Sequence, residues 1–191
     1  MSKIFIISGN SATGKTFILN RIKDISEDLL VVKKITTREI REQEKTLTDY
    51  DLQFGFSVDD VKKSDFYYSH RDEWYGINKK DIDAVLDAGK NAVFAIRRVS
   101  TILDIKRIYS DKVVTILFQS CFSKNELISF LLERNITEYE INARLADRYE
   151  NECQEEYRNN IYIFNNIIIN SYDGSFFEEV KKCIVESIIQ P

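Results

Sequence analysis

The stretch Gly9-Asn10-Ser11-Ala12-Thr13-Gly14-Lys15-Thr16 constrains this chain more than any other. It matches GxxxxGK[ST] in full. An apolar run, Lys3 to Ser8, precedes it, and a segment with helical spacing, Phe17 to Ile25, follows. Strand, glycine turn and helix in that order wrap backbone N–H groups around a cavity suited to phosphate. The helix N-terminus adds partial positive charge. Lys15 is placed to contact β- and γ-phosphates, and the Thr16 hydroxyl to ligate Mg²⁺. The segment predicts a site for a nucleoside triphosphate with Mg²⁺ and, alone, does not separate a kinase from a GTPase or a motor.

Strand-like and helix-like segments alternate along the rest of the chain. Leu29 to Val32, Asn91 to Ile96, Lys112 to Phe118 and Ile167 to Ile169 read as strands. Lys79 to Ala88, about Ser100 to Tyr109, Asn125 to Leu132, Glu138 to about Arg158 and about Ser175 to Ile189 read as helices. This rhythm predicts an α/β fold with a mostly parallel sheet flanked by helices. Thr36 to Asn78 breaks it. That stretch is polar, rich in arginine and aromatic residues, and holds only short strand-like runs, Leu52 to Val58 and Phe66 to Ser69. It reads as a small lobe inserted into the core.

Composition narrows the class. The 191 residues carry a net charge of −4, which argues against a dedicated nucleic-acid module. The longest apolar runs are too short to span a bilayer, and the N-terminus lacks the pattern of a signal peptide. Three cysteines without a CxxC pair predict neither a disulfide framework nor a zinc site. The expectation is a reduced cytoplasmic protein, monomer or homodimer, with no nucleic-acid or membrane partner.

Thr36-Thr37-Arg38-Glu39-Ile40-Arg41-Glu42-Gln43-Glu44, followed by Asp49-Tyr50, is the second informative stretch. Arg38 and Arg41 can converge on one phosphate, each guanidinium offering a planar fork of donors. Tyr50 and Tyr75 add hydroxyl donors, and Glu44 can orient an arginine or a ribose hydroxyl. Read alone, the run also fits a solvated charged loop.

Taken in order, these motifs resemble guanylate kinase, a P-loop nucleoside monophosphate kinase. The resemblance rests on the phosphate loop, TTRxxRxxE with the DY pair, and Tyr75-Gly76. It continues through Ala88-Gly89 before NAVFAI, LLERN and INARL at Leu131 to Asn135 and Ile141 to Leu145, and the closing IIIN strand and helix. It covers roughly residues 3 to 188. What it implies is a P-loop NTPase fold in a single domain with three parts. A core of about 1–33, 79–130 and 159–191 holds ATP. An acceptor-binding lobe of about 34–78 holds a phosphorylated acceptor through Arg38, Arg41, Tyr50 and Tyr75, with Glu44 nearby; Lys34 and Arg97, which the family does not share, are read from their charge as two further acceptor-side cations. A helical lid of about 131–158 closes over both, with Arg134 and Arg144 joining Lys15 to neutralise the transferring phosphoryl group. ATP and Mg²⁺ are the implied cofactors, and the implied function is transfer of a γ-phosphoryl group to a nucleoside monophosphate, GMP by default.

Several positions depart from the family pattern. The segment before Tyr75 is about two residues shorter, and Tyr68 falls near the glutamate that reads guanine. The strand after Gly89 ends Phe94-Ala95-Ile96-Arg97-Arg98, where the family carries acids that support magnesium. Lys34 replaces a small hydroxyl residue, and Phe130 a lid arginine. Arg97 and Lys34 suit an acceptor with a further phosphate or carboxylate, as in ribose 1,5-bisphosphate phosphokinase, the alternative reading. An interaction module with little catalysis is the other alternative, opposed by the complete phosphate loop. No NKxD motif supports a GTPase. His70 reads as a surface residue, Glu150 to Glu156 as a solvated helix face, and Cys121 as a buried or half-buried thiol.

Overall fold

The structure, a computed structural model, describes residues 2–40, 51–133, 136–145 and 147–189, the side chains of 143, 144 and 147–150 apart. β1 (Ile4–Gly9) is buried at all six positions. A strand covered on both faces reads as a continuous apolar run, as this one does. It pairs in parallel with β7 (Asn91–Ala95) on one side and β8 (Val113–Ser120) on the other. β2 (Leu29–Val31) and β9 (Asn166–Asn170) complete a five-stranded parallel sheet in the order β2-β7-β1-β8-β9.

Alternation along these strands divides the core in two. Ile4 and Ile6 of β1 and Phe94 of β7 enter one apolar cluster. There they meet Ile82 of α4 (Lys79–Asp87) and Ile102 and Ile105 of α5 (Val99–Tyr109). Phe5, Ile7 and Val93 enter the other. That face is covered by α1 (Lys15–Leu19), α2 (Ile22–Ile25) and α9 (Gly174–Ile189). Phe176, Val180 and Ile184 of α9, spaced four apart, line one stripe of it and are buried. The expected mostly parallel sheet flanked by helices is the observed architecture.

A second, four-stranded sheet runs β4-β3-β6-β5. β3 (Lys34–Thr36) pairs in parallel with β4 (Leu52–Gln53) and antiparallel with β6 (Glu73–Ile77), which forms a hairpin with β5 (Phe66–His70). Phe66, Tyr68 and Ile77 of this hairpin reach the first core cluster, so the two sheets share apolar packing. Beyond β8, α6 (Lys124–Glu133) and α7 (Glu138–Arg144) close a separate small cluster around Leu127, Leu131 and Ile141. α8 (Asp147–Asn159) then returns to the main core through Cys153 and Tyr157.

Three segments differ from the sequence expectation. Phe17 to Ile25 is two short helices broken at Asn20-Arg21, although Ile18, Ile22 and Ile25 all stay buried. Glu138 to Arg158 is likewise two helices, α7 and α8. Leu52 to Val58 is strand only at Leu52–Gln53. Ser57 then starts α3 (Val58–Lys62) through a reciprocal capping box with Asp60, satisfying N–H groups that a strand would pair elsewhere. Cys121 is exposed, contrary to expectation, whereas Cys153 is buried. Among the described residues no helix is long and apolar enough to cross a membrane.

Phe94 is fully buried in the central sheet. Phe94→Ala is expected to lower the free energy of unfolding by about 4 kcal/mol, read from urea unfolding followed by circular dichroism.

Candidate active site

β1 ends at the point where the chain's progress across the sheet reverses, with β7 to one side and β8 to the other. In open parallel sheets the crevice at such a point receives ligands. The loop from Gly9 to Thr16 fills it. Gly9 has φ +142°, and a Cβ there would lie 2.4 Å from the Phe118 carbonyl oxygen of β8. Only glycine lets the backbone leave the sheet so close to its neighbour. At the far end Gly14 has φ +96°, with the Phe176 ring and the Asn170 amide under 3 Å from a would-be Cβ.

Side chains from the end of β9 brace the loop from outside. Asn170 Nδ2 donates to the Thr13 carbonyl at 3.2 Å. The Tyr172 hydroxyl contacts the Ala12 carbonyl at 3.1 Å and Ser120 Oγ at 2.8 Å. Tyr172 also stacks on Phe122, centroids 4.2 Å apart, and meets Phe130 edge-on at 4.7 Å. Inside the loop, Lys15 Nζ donates to the carbonyls of Gly9, at 2.8 Å, and Asn10, and to Thr13 Oγ1 at 3.3 Å. The lysine thus lies along the inner wall, where phosphate oxygens are stronger acceptors than carbonyls.

A cavity of about 310 Å³ opens beside the loop, lined by Ser11, Gly14, Lys15, Thr16, Arg71 and Arg97 among others. Arg97, expected on the acceptor side, reaches the phosphate loop: its Nη2 lies 3.3 Å from Ser11 Oγ. Its backbone is held from two directions. The Tyr157 hydroxyl of α8 donates to the Arg97 carbonyl at 2.8 Å, and Ser8 Oγ donates to the Ile96 carbonyl at 2.6 Å. Next to it, Arg98 bonds the Ser69 carbonyl of β5 at 3.1 Å and Glu156 of α8 at 3.3 Å. Glu156 also accepts the Val99 N–H that opens α5. The stretch Glu150 to Glu156 is therefore not a wholly solvated face: Cys153 is buried and Glu156 ties α8 to the strand end.

Arg71 was not foreseen. It stands with Asp72 in the two-residue turn of the β5–β6 hairpin, both at positive φ, +56° and +62°. That conformation fits a type I′ turn, which favours asparagine and glycine. From the tip its Nη2 donates to Ser11 Oγ at 2.8 Å. The alternating runs on either side of Arg71-Asp72 are a hairpin signal, but they do not say where the tip points. His70, expected at the surface, is buried with Nδ1 3.9 Å from Cys153 Sγ. Burial first, then the charges of Arg97, Arg71, Arg98 and Lys15, pull its pKa down to about 2. The imidazole is neutral at every working pH.

In the second sheet, Thr36 is buried and donates to the Trp74 carbonyl at 2.8 Å, while Thr37 accepts the Trp74 N–H and donates to Glu73 at 2.6 Å. These hydroxyls fix the start of the arginine-rich stretch against β6. Arg38 is nearly buried, with its guanidinium 5.1 Å from the Phe54 ring. Tyr75 stacks on Tyr68 at 5.2 Å. Lys34 is buried and its ammonium is engaged by Asp51 at 2.8 Å and the Ala95 carbonyl at 2.6 Å. Its charge is thus neutralised within the protein. Arg41, Glu44, Tyr50 and Arg134 lie outside the described residues, as does the side chain of Arg144.

Among the described residues no group of three or more His, Cys, Asp and Glu side chains is arranged to hold a metal. Thr16, in the first turn of α1, lines the same cavity as Lys15 and Arg97.

Comparison with known proteins agrees with this geometry. No protein-family model matches the chain. A guanylate kinase of Campylobacter jejuni is 30% identical over 177 residues, 90% of this chain and 84% of the relative. The chain belongs to the guanylate kinase family. A guanylate kinase of Porphyromonas gingivalis is 25% identical over 193 residues, 98% of this chain and 99% of the relative. The crystal structure of guanylate kinase from Anaplasma phagocytophilum has the same fold, with a TM-score of 0.69 at 15% identity over 99% of this chain and 87% of that one. The similarity spans both sheets of this family member.

His70 makes a prediction about acid stability. On acidification the unfolded chain protonates this imidazole near its ordinary value of 6.5, and the folded chain resists down to about 2. The depressed value therefore adds stability above pH 6.5 that is lost as pH falls. Between pH 7 and pH 5 that loss is about 2 kcal/mol. Urea unfolding at the two pH values is expected to show a decrement smaller by this amount in His70→Gln.

Proposed function

We propose that this kinase-family protein transfers the γ-phosphoryl group of ATP, taken with Mg²⁺, to the phosphate of a nucleoside monophosphate, with GMP the first acceptor to try. The observation that carries the reading is Lys15 lying along the inner wall of a braced GxxxxGKT loop, in one cavity with Thr16 and Arg97. An acceptor phosphate oxygen attacks the γ-phosphorus as the bond to the β–γ bridging oxygen breaks, and ADP leaves with that electron pair. The acceptor is already ionised, so no general base is required. The neutral, enclosed His70 is consistent with that. The loop N–H groups and Lys15 hold the donor phosphates, and the Thr16 hydroxyl would lend an oxygen to the magnesium that comes with the nucleotide. By the family resemblance, Arg38, Arg41, Glu44, Tyr50 and Tyr75 receive the acceptor, and Arg134 and Arg144, with Lys15, neutralise the charge in flight.

One observation favours a second acceptor class. Arg97 occupies the strand end where the family pattern has an acid, and it points into the cavity. An acceptor carrying a further phosphate, such as ribose 1,5-bisphosphate, suits that cation better than guanine does. Lys34 lends little support, since Asp51 already neutralises it.

Coupled ADP release with ATP and Mg²⁺ over GMP, dGMP, AMP, UMP, CMP and ribose 1,5-bisphosphate tests the reading. Turnover with at least one acceptor is expected, and Lys15→Ala is expected to lower it about a hundredfold or more. Full turnover in that variant would remove the assigned role of the loop.

A further inference from the structure

We propose that Arg71 is a catalytic residue: with Arg97 it forms a two-arginine clamp on the γ-phosphate of the bound triphosphate. The proposal rests on the phosphotransfer reading and adds a residue that neither the phosphate loop nor the lid supplies. Both guanidinium groups touch one atom, Ser11 Oγ, at 2.8 and 3.3 Å. Ser11 belongs to the loop that encloses the phosphates, and Arg71 and Arg97 line the same cavity as Lys15 and Thr16. Three cations therefore meet in about 310 Å³. A hydroxyl shared by two guanidiniums is a weak acceptor, and a phosphate oxygen is a stronger one that each planar fork can grip in two places.

The two arginines come from different parts of the fold. Arg97 leaves the end of β7 in the core, and Arg71 leaves the hairpin of the second sheet, the sheet that carries Arg38 and Tyr75. A phosphate between them sits where the donor site and the acceptor lobe meet, which is the position of the group that moves. Charge that develops on its oxygens as the bridging bond breaks is met by donors already in place. Placement on a hairpin held by five residue pairs and the Tyr68–Tyr75 stack makes the donor rigid.

The test measures ATP and ADP affinity separately from turnover, by competition against a fluorescent ADP analogue. Arg71→Ala is expected to weaken ATP about tenfold or more while leaving ADP within about twofold, and to lower turnover about a hundredfold. Arg71→Lys is expected to restore only part of the ATP preference, since an ammonium has no fork. Arg71→Gly, which fits the left-handed turn, is expected to lose the ATP preference as Arg71→Ala does. Equal weakening of ATP and ADP, or no weakening of either, overturns the clamp. If the unsubstituted protein binds ATP and phosphorylates no acceptor, the transfer reading falls, and the ATP-against-ADP comparison still decides the clamp.

Discussion

The carbonyl oxygen of Phe118 stands 2.4 Å from where a side chain on Gly9 would begin. That contact sets the geometry of the whole active end. β1 is sealed on both faces and hydrogen-bonded on both edges, so its chain has one way out, over the top of the sheet between β7 and β8. A glycine at the exit lets the backbone turn back at once and lay its N–H groups around a small volume. Any larger residue would push the loop away from β8 and separate it from Asn170 and Tyr172, which brace it.

Positive charge is the second organising force. Lys15, Arg71 and Arg97 converge beside the loop, and His70 behind them stays neutral under their field. A cavity lined by these three side chains is suited to an anion. The Lys34–Asp51 pair is buried, at 2.8 Å. Removing either partner of such a pair would leave an uncompensated charge, so it specifies how β3 meets the end of β7 more than it adds net stability.

Arg98, Glu156 and Tyr157 join three elements at the same strand end. They connect the hairpin through the Ser69 carbonyl, the core through Arg97 and Val99, and the helix that follows α7. Helix α8 thus reports to both sheets, and its position and the aim of Arg97 are mechanically linked.

The phosphate loop, the alternation of strands and helices and the inserted lobe were legible in the sequence, because each is a local matter of glycine placement and hydrophobic period. The same local signals could not show that two continuous helical patterns are broken, since Ile18, Ile22 and Ile25 stay buried through the break. Lys34 and Arg97 were legible as unusual cations but not in where their charge goes. Asp51, which neutralises Lys34, is distant in sequence, and Ser11, which Arg97 meets, follows the neighbouring strand β1, 86 residues away along the chain. Arg71 carries only a hairpin signal: a two-residue turn fixes its backbone, and only the packing of the second sheet on the core directs it to Ser11 of the glycine loop. Local sequence signals specify a parallel α/β core with a GxxxxGKT loop at the end of its first strand. The tertiary structure alone decided which charges face that loop, because electrostatic contacts depend on distance through space, to which spacing along the chain is blind.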